Sequence, residues 1–228
     1  MTRAELKAYV TAAERGDAKC QAYLGWLYSE GKGVRKNSKL AVKWYLMAAP
    51  KNDVFAQFNL AYMYDTGTGV RKSPRLATKW YRRAALQGNA SAEFNLGWNY
   101  ANGIGIRKSL TQSVKWYRRA AARSHSKAQF NLGFALIEGT GVRKNETEAI
   151  YWFRRSARSG HNRSMNLIGI MYALGRGVRQ SYSVARRWYL KAAQDGNPDA
   201  KWNLKYLDKH YPTKQTAKSG RSLTSRSS

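Results

Sequence analysis

The chain has 228 residues, with 41 Lys and Arg against 13 Asp and Glu, and a formal net charge of +28. That imbalance speaks of partners rather than of fold, and points to nucleic acid, an anionic membrane surface or an acidic protein. A single cysteine, Cys20, excludes an intrachain disulfide framework, and no stretch approaches the ~20 apolar residues of a membrane span.

The first predicted element is a helix over residues 2–13, in which Tyr9 and Ala12-Ala13 take positions filled later by Tyr45 and Ala48-Ala49; it reads as an N-terminal cap. The N-terminal residues lack the apolar run of a secretion signal, and a soluble, cytoplasmic protein is expected. A second helix runs from Asp17 to Glu30, with Leu24, Leu27 and Tyr28 at the i, i+3, i+4 spacing of a buried face. Cys20 stands where later units have Ala56, Ala92, Ala128, Ser164 and Ala200, so it reads as a small packing residue. The helix stops at Gly31-Lys32-Gly33-Val34, where glycine can take the left-handed conformation that turns the chain. Asn37 then caps a third helix, and Ala41, Trp44, Tyr45 and Ala48 form its buried face.

This helix-turn-helix unit recurs every 36 residues. Trp44, Trp80, Trp116, Trp152 and Trp188 share one column, and Tyr45, Tyr81, Tyr117, Phe153 and Tyr189 the next. The caps before the second helices are Asn37, Ser73, Ser109, Asn145 and Ser181. A period held this strictly marks an all-α solenoid, in which each unit is stable only when stacked on its neighbours. Five repeats fall at about 17–52, 53–88, 89–124, 125–160 and 161–196, followed by a last first-type helix over 199–211 as a C-terminal cap. Residues 212–228 form a basic, Ser/Thr-rich tail expected to be disordered. Asn99 breaks the column of Leu27, Met63, Ala135 and Met171, and the sequence offers no reason for it.

The Gly-x-Gly pairs lack the third glycine of a dinucleotide loop and the Gly-Lys-Ser/Thr of a phosphate loop, so they read as turn chemistry. His125, His161 and His210 read as isolated surface residues outside the repeat columns. With no His/Cys cluster, metalloprotease helix or hydrolase nucleophile elbow, neither catalysis, nor a metal, nor a cofactor is expected.

The unit Ala-x-x-x-Leu-Gly-x-x-Tyr-x-x-Gly-x-Gly-Val, followed by Ala-x-x-Trp-Tyr-x-x-Ala-Ala, resembles the SEL-one-like repeat (SLR) family, relatives of the tetratricopeptide repeat, over roughly residues 1–210. Leu24-Gly25, Leu60-Ala61, Leu96-Gly97, Leu132-Gly133 and Ile168-Gly169 carry its helix-crossing signature. The resemblance implies a right-handed superhelix of antiparallel helix pairs, with the first helices lining a concave groove, and a scaffold or adaptor role without catalysis. Two departures stand out. Family repeats usually have Asp before the second helix, where this chain keeps the cap with Asn or Ser and loses the charge. The cysteine pairs of some secreted bacterial relatives are absent.

Carried over column by column, the groove positions are Ala22, Phe58, Phe94, Phe130, Asn166 and Trp202, with Trp26, Tyr62, Trp98, Phe134, Ile170 and Tyr206 one turn on. Residues i and i+4 share a helix face, so these columns either offer apolar pockets to a peptide or fill space between stacked helices. Asn59, Asn95, Asn131 and Asn203 beside them either bond a bound peptide or bond their own scaffold. The candidate peptide groove is therefore Trp26, Phe58, Asn59, Tyr62, Phe94, Asn95, Trp98, Phe130, Asn131 and Phe134. The acids Glu30, Asp65 and Glu138 fall at its lip.

Bases collect elsewhere, in the loops as Arg35-Lys36, Arg71-Lys72, Arg107-Lys108, Arg143-Lys144 and Arg179, and on the second helices as Lys43, Lys79, Lys115 and Arg187. With helices ~8–10 Å apart, five stacked units would carry them as a ladder on the order of 40 Å long, suited to a nucleic-acid backbone or an acidic surface. Two functions are thus in view. The first is a non-enzymatic adaptor that holds an extended or acidic protein segment in the aromatic groove. The alternative is an electrostatic binder of nucleic acid or ribonucleoprotein, with an anionic membrane surface as a third partner.

Overall fold

The computed structural model describes residues 2–212, and the predicted tail, apart from Pro212, lies outside them. Among the described residues there are twelve α-helices, one 3-10 turn and no strand. The chain divides into two compact units, Met1–Arg123 and Ser124–Ser228.

In the first unit α1 (Arg3–Glu14) covers α2 (Ala18–Glu30), and three helix pairs follow from there: α2 with α3 (Ser38–Ala48), α4 (Val54–Thr66) with α5 (Pro74–Leu86), and α6 (Ala90–Asn102) with α7 (Leu110–Ala122). The second unit holds α8 (Ser126–Glu138) with α9 (Glu146–Arg158), α10 (Asn162–Leu174) with α11 (Tyr182–Gln194), and α12 (Pro198–His210) on α11. Within each unit a first helix packs most closely on the second helix that follows it, and that helix on the next first helix.

Local sequence explains each boundary. Asn37, Ser73, Ser109, Asn145 and Ser181 all accept an amide of their helix's first turn through the side chain, which satisfies a donor the helix itself cannot. Their own amides return to the preceding first helix, at Tyr28, Tyr64, Tyr100, Leu136 and Tyr172 carbonyls, each at 2.9 Å. The turn between is closed by Gly31, Gly67, Gly103, Gly139 and Gly175 in the left-handed region. The second glycine of each turn answers a different need. A Cβ on Gly105 would stand 2.2 Å from the Pro74 carbonyl oxygen, because this loop presses on the first turn of the preceding unit's second helix.

The first helices are capped by Asp17, Asp53, Asn89 and Asn197, and here the histidines find their place. His125 and His161 are 36 residues apart and occupy this same cap position, which corrects the reading of them as residues outside the repeat. His125 accepts the Ala128 amide through Nδ1 at 3.3 Å, whereas His161 meets the Ser164 hydroxyl at 3.1 Å. Burial, and then neighbouring Lys127, lowers the His125 pKa; burial, Arg163 and Lys127 lower that of His161.

The core is made of the predicted columns. Leu24, Leu60, Leu96, Leu132 and Ile168 are fully buried, as are Tyr45, Tyr81 and Phe153 on the second helices. The ring of Tyr45 lies on Gly25, where a Cβ would come within 2.6 Å of it, and Gly97, Gly133 and Gly169 meet Tyr117, Phe153 and Tyr189 in the same way; in the second repeat Ala61 takes this place. Cys20 packs half-buried beside Ala13, Leu24 and Leu27, and burial raises its thiol pKa.

Candidate functional site

The two aromatic columns of the first helices separate in the structure. Phe58, Phe94 and Phe130 are half-buried because each leans on the aromatic of the second helix that follows: Phe58 on Tyr81 at 5.9 Å between centroids, Phe94 on Tyr117 at 5.8 Å and Phe130 on Phe153 at 5.9 Å. This column is largely packing. The column one turn on stays open, with Tyr62 53%, Trp98 49%, Phe134 49% and Tyr206 48% exposed. Trp26 is half-buried under the Lys32 ammonium, 4.6 Å from its ring centroid. In the first unit the open rings of α4 and α6 and the half-buried ring of α2 therefore hold one repeat position; Phe134 and Tyr206 hold the same position in the second unit. At a free surface, large rings at matching positions on successive helices are not required by the core, which the Leu and Tyr columns already fill.

The asparagines divide as well. Asn59 donates to the Phe55 carbonyl of its own helix at 2.8 Å, and Asn203 donates to the Asn166 side chain at 2.9 Å. Asn95 and Asn131 are half-buried beside Phe94 and Phe130. Asn95 lies near the Tyr81 hydroxyl.

All nine loop bases, Arg35, Lys36, Arg71, Lys72, Arg107, Lys108, Arg143, Lys144 and Arg179, are exposed. Lys144 is partly engaged, 3.3 Å from Glu146. Several bases of the second helices serve the scaffold instead. Arg83 lies over Trp80 and Arg119 over Trp116, each 4.7 Å from the ring centroid, with Arg155 and Lys191 over Trp152 and Trp188 at 5.9 and 6.0 Å. These cations shield the outer edge of the tryptophan column. Sequence reasoning missed Glu93, fully buried and bound by Arg119 at 2.9 Å and Arg123 at 3.4 Å. Its only signal was an acid in the column of Gln21, Gln57 and Gln129.

Among the described residues, no three His, Cys, Asp or Glu side chains come together as metal ligands, and no helix is long and apolar enough to cross a membrane.

The sequence profile of the Sel1 repeat matches residues 18–53, 54–89, 90–125, 126–161 and 162–197. The chain belongs to the Sel1 repeat family. Sel1 repeat proteins are generally protein–protein interaction scaffolds. Among solved structures, a protective antigen of uropathogenic Escherichia coli with an SLR fold is similar at 34% identity and a TM-score of 0.84, over 87% of this chain and 43% of that one. This chain thus spans less than half of that protein. A Sel1 repeat protein from Oxalobacter formigenes is similar at 35% identity and a TM-score of 0.75, over 83% of this chain and 75% of that one. No curated protein matches the chain.

Proposed function

We propose that this Sel1 repeat protein is a non-enzymatic adaptor that captures a peptide segment on the first helices of its first unit. The observation that carries this is the row of open rings, Tyr62 and Trp98 with half-buried Trp26, at one repeat position on α4, α6 and α2. Tyr62 and Trp98 are the apolar anchors, Phe58 and Phe94 form the floor between them, and Asn59 and Asn95 offer polar contacts. Phe134 with Phe130 and Asn131 provides the equivalent patch in the second unit. Aromatic anchors of this kind dominate the energy of most interfaces. The test is affinity isolation with wild type and with Tyr62→Ala/Trp98→Ala, after circular dichroism confirms unchanged helicity. Loss of partners from the variant is expected, and equal recovery of every partner would sink the reading.

A second reading rests on charge. Helices α3, α5 and α7 and the loops before them contain no acidic residue, and Arg75, Lys79, Arg82 and Arg83 line a cavity of about 380 Å³ on this side. This face suits a nucleic-acid backbone or another polyanion through the loop pairs Arg35-Lys36, Arg71-Lys72 and Arg107-Lys108. If about five phosphates are neutralised, log K should fall against log salt with a slope of roughly −4 to −5. Nuclease treatment of the lysate separates the two readings: partners that survive it belong to the aromatic face.

A further inference from the structure

Two tyrosine hydroxyls of the first unit are buried without a hydrogen-bond partner, those of Tyr45 and Tyr81. They belong to one repeat column, and Phe153 fills it in the fourth repeat with no hydroxyl at all, so the fold does not need the oxygen. An unpartnered buried hydroxyl is costly, which makes its retention at two successive positions informative.

Each hydroxyl has a carboxylate and a further polar side chain near it. Tyr45 lies at the bottom of a cavity of about 290 Å³, lined also by Ser29, Glu30, Lys36, Asn59 and Tyr62. Ser29 and Glu30 stand near its hydroxyl, but the Ser29 proton goes to the Trp26 carbonyl at 2.9 Å. One of the two Asn59 amide hydrogens goes to the Phe55 carbonyl. The acceptors this cavity offers are the Ser29 and Asn59 oxygens, the phenol oxygen and the Glu30 carboxylate, with Lys36, Ser38 and Thr68 also in its lining. One repeat on, the Tyr81 hydroxyl has Asp65, Asn95 and Tyr62 around it. Burial pushes the Tyr45 pKa up to about 12 and raises that of Tyr81 as well, so both phenols remain neutral.

The acids here are distinctive. Of the first unit's other carboxylates, Glu5, Asp17 and Asp53 serve helix caps, Glu93 is held by two arginines, and Glu14 is exposed at the end of α1. Glu30 and Asp65 are set apart by their place, Glu30 near the Tyr45 hydroxyl and Asp65 near that of Tyr81. Lys36 is exposed on the loop at the rim, where its ammonium can remain in water.

Resting on the peptide-groove reading above, we propose that Tyr45 and Tyr81 mark two adjacent subsites for cationic side chains of the bound peptide, arginine in preference to lysine. A guanidinium carries five donors in a fixed fork and matches a floor of several acceptors better than a point-like ammonium does. Neighbouring helices pack about 8–10 Å apart, and a polyproline II segment returns every third side chain to the same side after about 9 Å. The ligand is therefore an extended segment with basic residues three positions apart and apolar residues between them that rest on Tyr62 and Trp98. The charge of the rest of the chain repels such a ligand at long range, but that repulsion is screened beyond ~8 Å at physiological salt, whereas Glu30 and Asp65 act at contact.

The test is selection of a phage-displayed random dodecapeptide library on the full chain at ~0.3 M salt, where capture of acidic sequences by the basic face is suppressed. One selected peptide, and its Arg-to-Gln version, are then titrated against wild type, Glu30→Gln/Asp65→Asn, Tyr45→Phe/Tyr81→Phe and Tyr62→Ala/Trp98→Ala. Enrichment of Arg or Lys at positions three apart is expected. The selected peptide should lose about tenfold in affinity with the carboxamide variant and about fivefold with the phenylalanine variant, while the Gln version binds wild type and both of these variants equally. Selection of peptides without paired basic residues, or undiminished binding to Glu30→Gln/Asp65→Asn, overturns the subsites; if Tyr62→Ala/Trp98→Ala still abolishes binding, the groove reading survives that result. Selected peptides indifferent to Tyr62→Ala/Trp98→Ala, or a selection that yields no sequence, overturn both.

Discussion

Asn99 donates its side-chain amide to the Thr78 hydroxyl at 2.8 Å, across the interface between the third repeat's first helix and the second repeat's second helix. Thr78 passes its own proton to the Ile104 carbonyl at 2.9 Å, and both side chains are buried. Asn99 is the polar exception in its column of Leu27, Met63, Ala135 and Met171, and Thr78 stands where the first, third and fourth repeats have Val42, Val114 and Ile150 and the fifth has Arg186. Two deviations that look unrelated in the sequence thus form one hydrogen-bonded pair.

A double-mutant cycle tests this pair. Asn99→Met or Thr78→Val alone leaves a buried polar group without its partner and should cost about 1–3 kcal/mol. The double change restores the apolar character of both columns and should recover most of the loss, giving a coupling of about 1 kcal/mol or more. Additive losses in urea melts would show that the pair is not coupled.

Glu93 and Arg119 make an asymmetric pair, the carboxylate fully buried and the guanidinium 37% exposed. Removing the arginine strands a buried charge, with only Arg123 left to meet it, and Arg119→Met should cost about 2–3 kcal/mol. Glu93→Gln installs the residue that the column already has at Gln21, Gln57 and Gln129, and should cost less than ~1 kcal/mol. The order of the two denaturation midpoints decides the matter, and a reversed order would contradict the burial argument.

The histidine caps predict a pH dependence in the second unit. Both have a folded-state pKa below the ordinary value of 6.5, so between the two values the unfolded chain binds more protons than the folded one. Stability from these groups is complete above about pH 7 and is lost as the pH falls through 6.5 toward the folded pKa values. Burial is the main cause in both, and at His125 the cap bond acts in the same direction, because Nδ1 must be unprotonated to accept the Ala128 amide. His125→Asn/His161→Asn, which installs the cap found at Asn89 and Asn197, should flatten the thermal midpoint between pH 7 and 5. A slope unchanged by the double variant would place the titration elsewhere.

Gly105 and Gly160 separate two reasons for glycine. Both have positive φ, 65° and 77°, but a Cβ on Gly160 meets nothing within 4 Å whereas one on Gly105 runs into the Pro74 carbonyl. Gly160→Ala should therefore cost about 1 kcal/mol of backbone strain alone. Gly105→Ala adds a clash with backbone, which cannot yield as a side chain can, and should cost clearly more, on the order of 3 kcal/mol. Equal midpoints for the two variants would refute the distinction.

The 36-residue period by itself determined the helix pairs, their caps and glycine turns, and the buried Leu, Tyr and Ala columns. These are decided by residues within a few positions of one another, and five copies of the same local solution leave little ambiguity. The tertiary structure decided what depends on a neighbouring helix. Phe94 and Trp98 are one turn apart on the same helix face and equally eligible from the sequence, yet Phe94 is half-covered because Tyr117 comes back against it and Trp98 is left in the open. Asn99 needed Thr78, and buried Glu93 needed Arg119 and Arg123, before either made physical sense. The unpartnered state of the Tyr45 and Tyr81 hydroxyls has the same origin: whether a polar atom is satisfied depends on what the next repeat brings to it, and a column of identical letters does not contain that information.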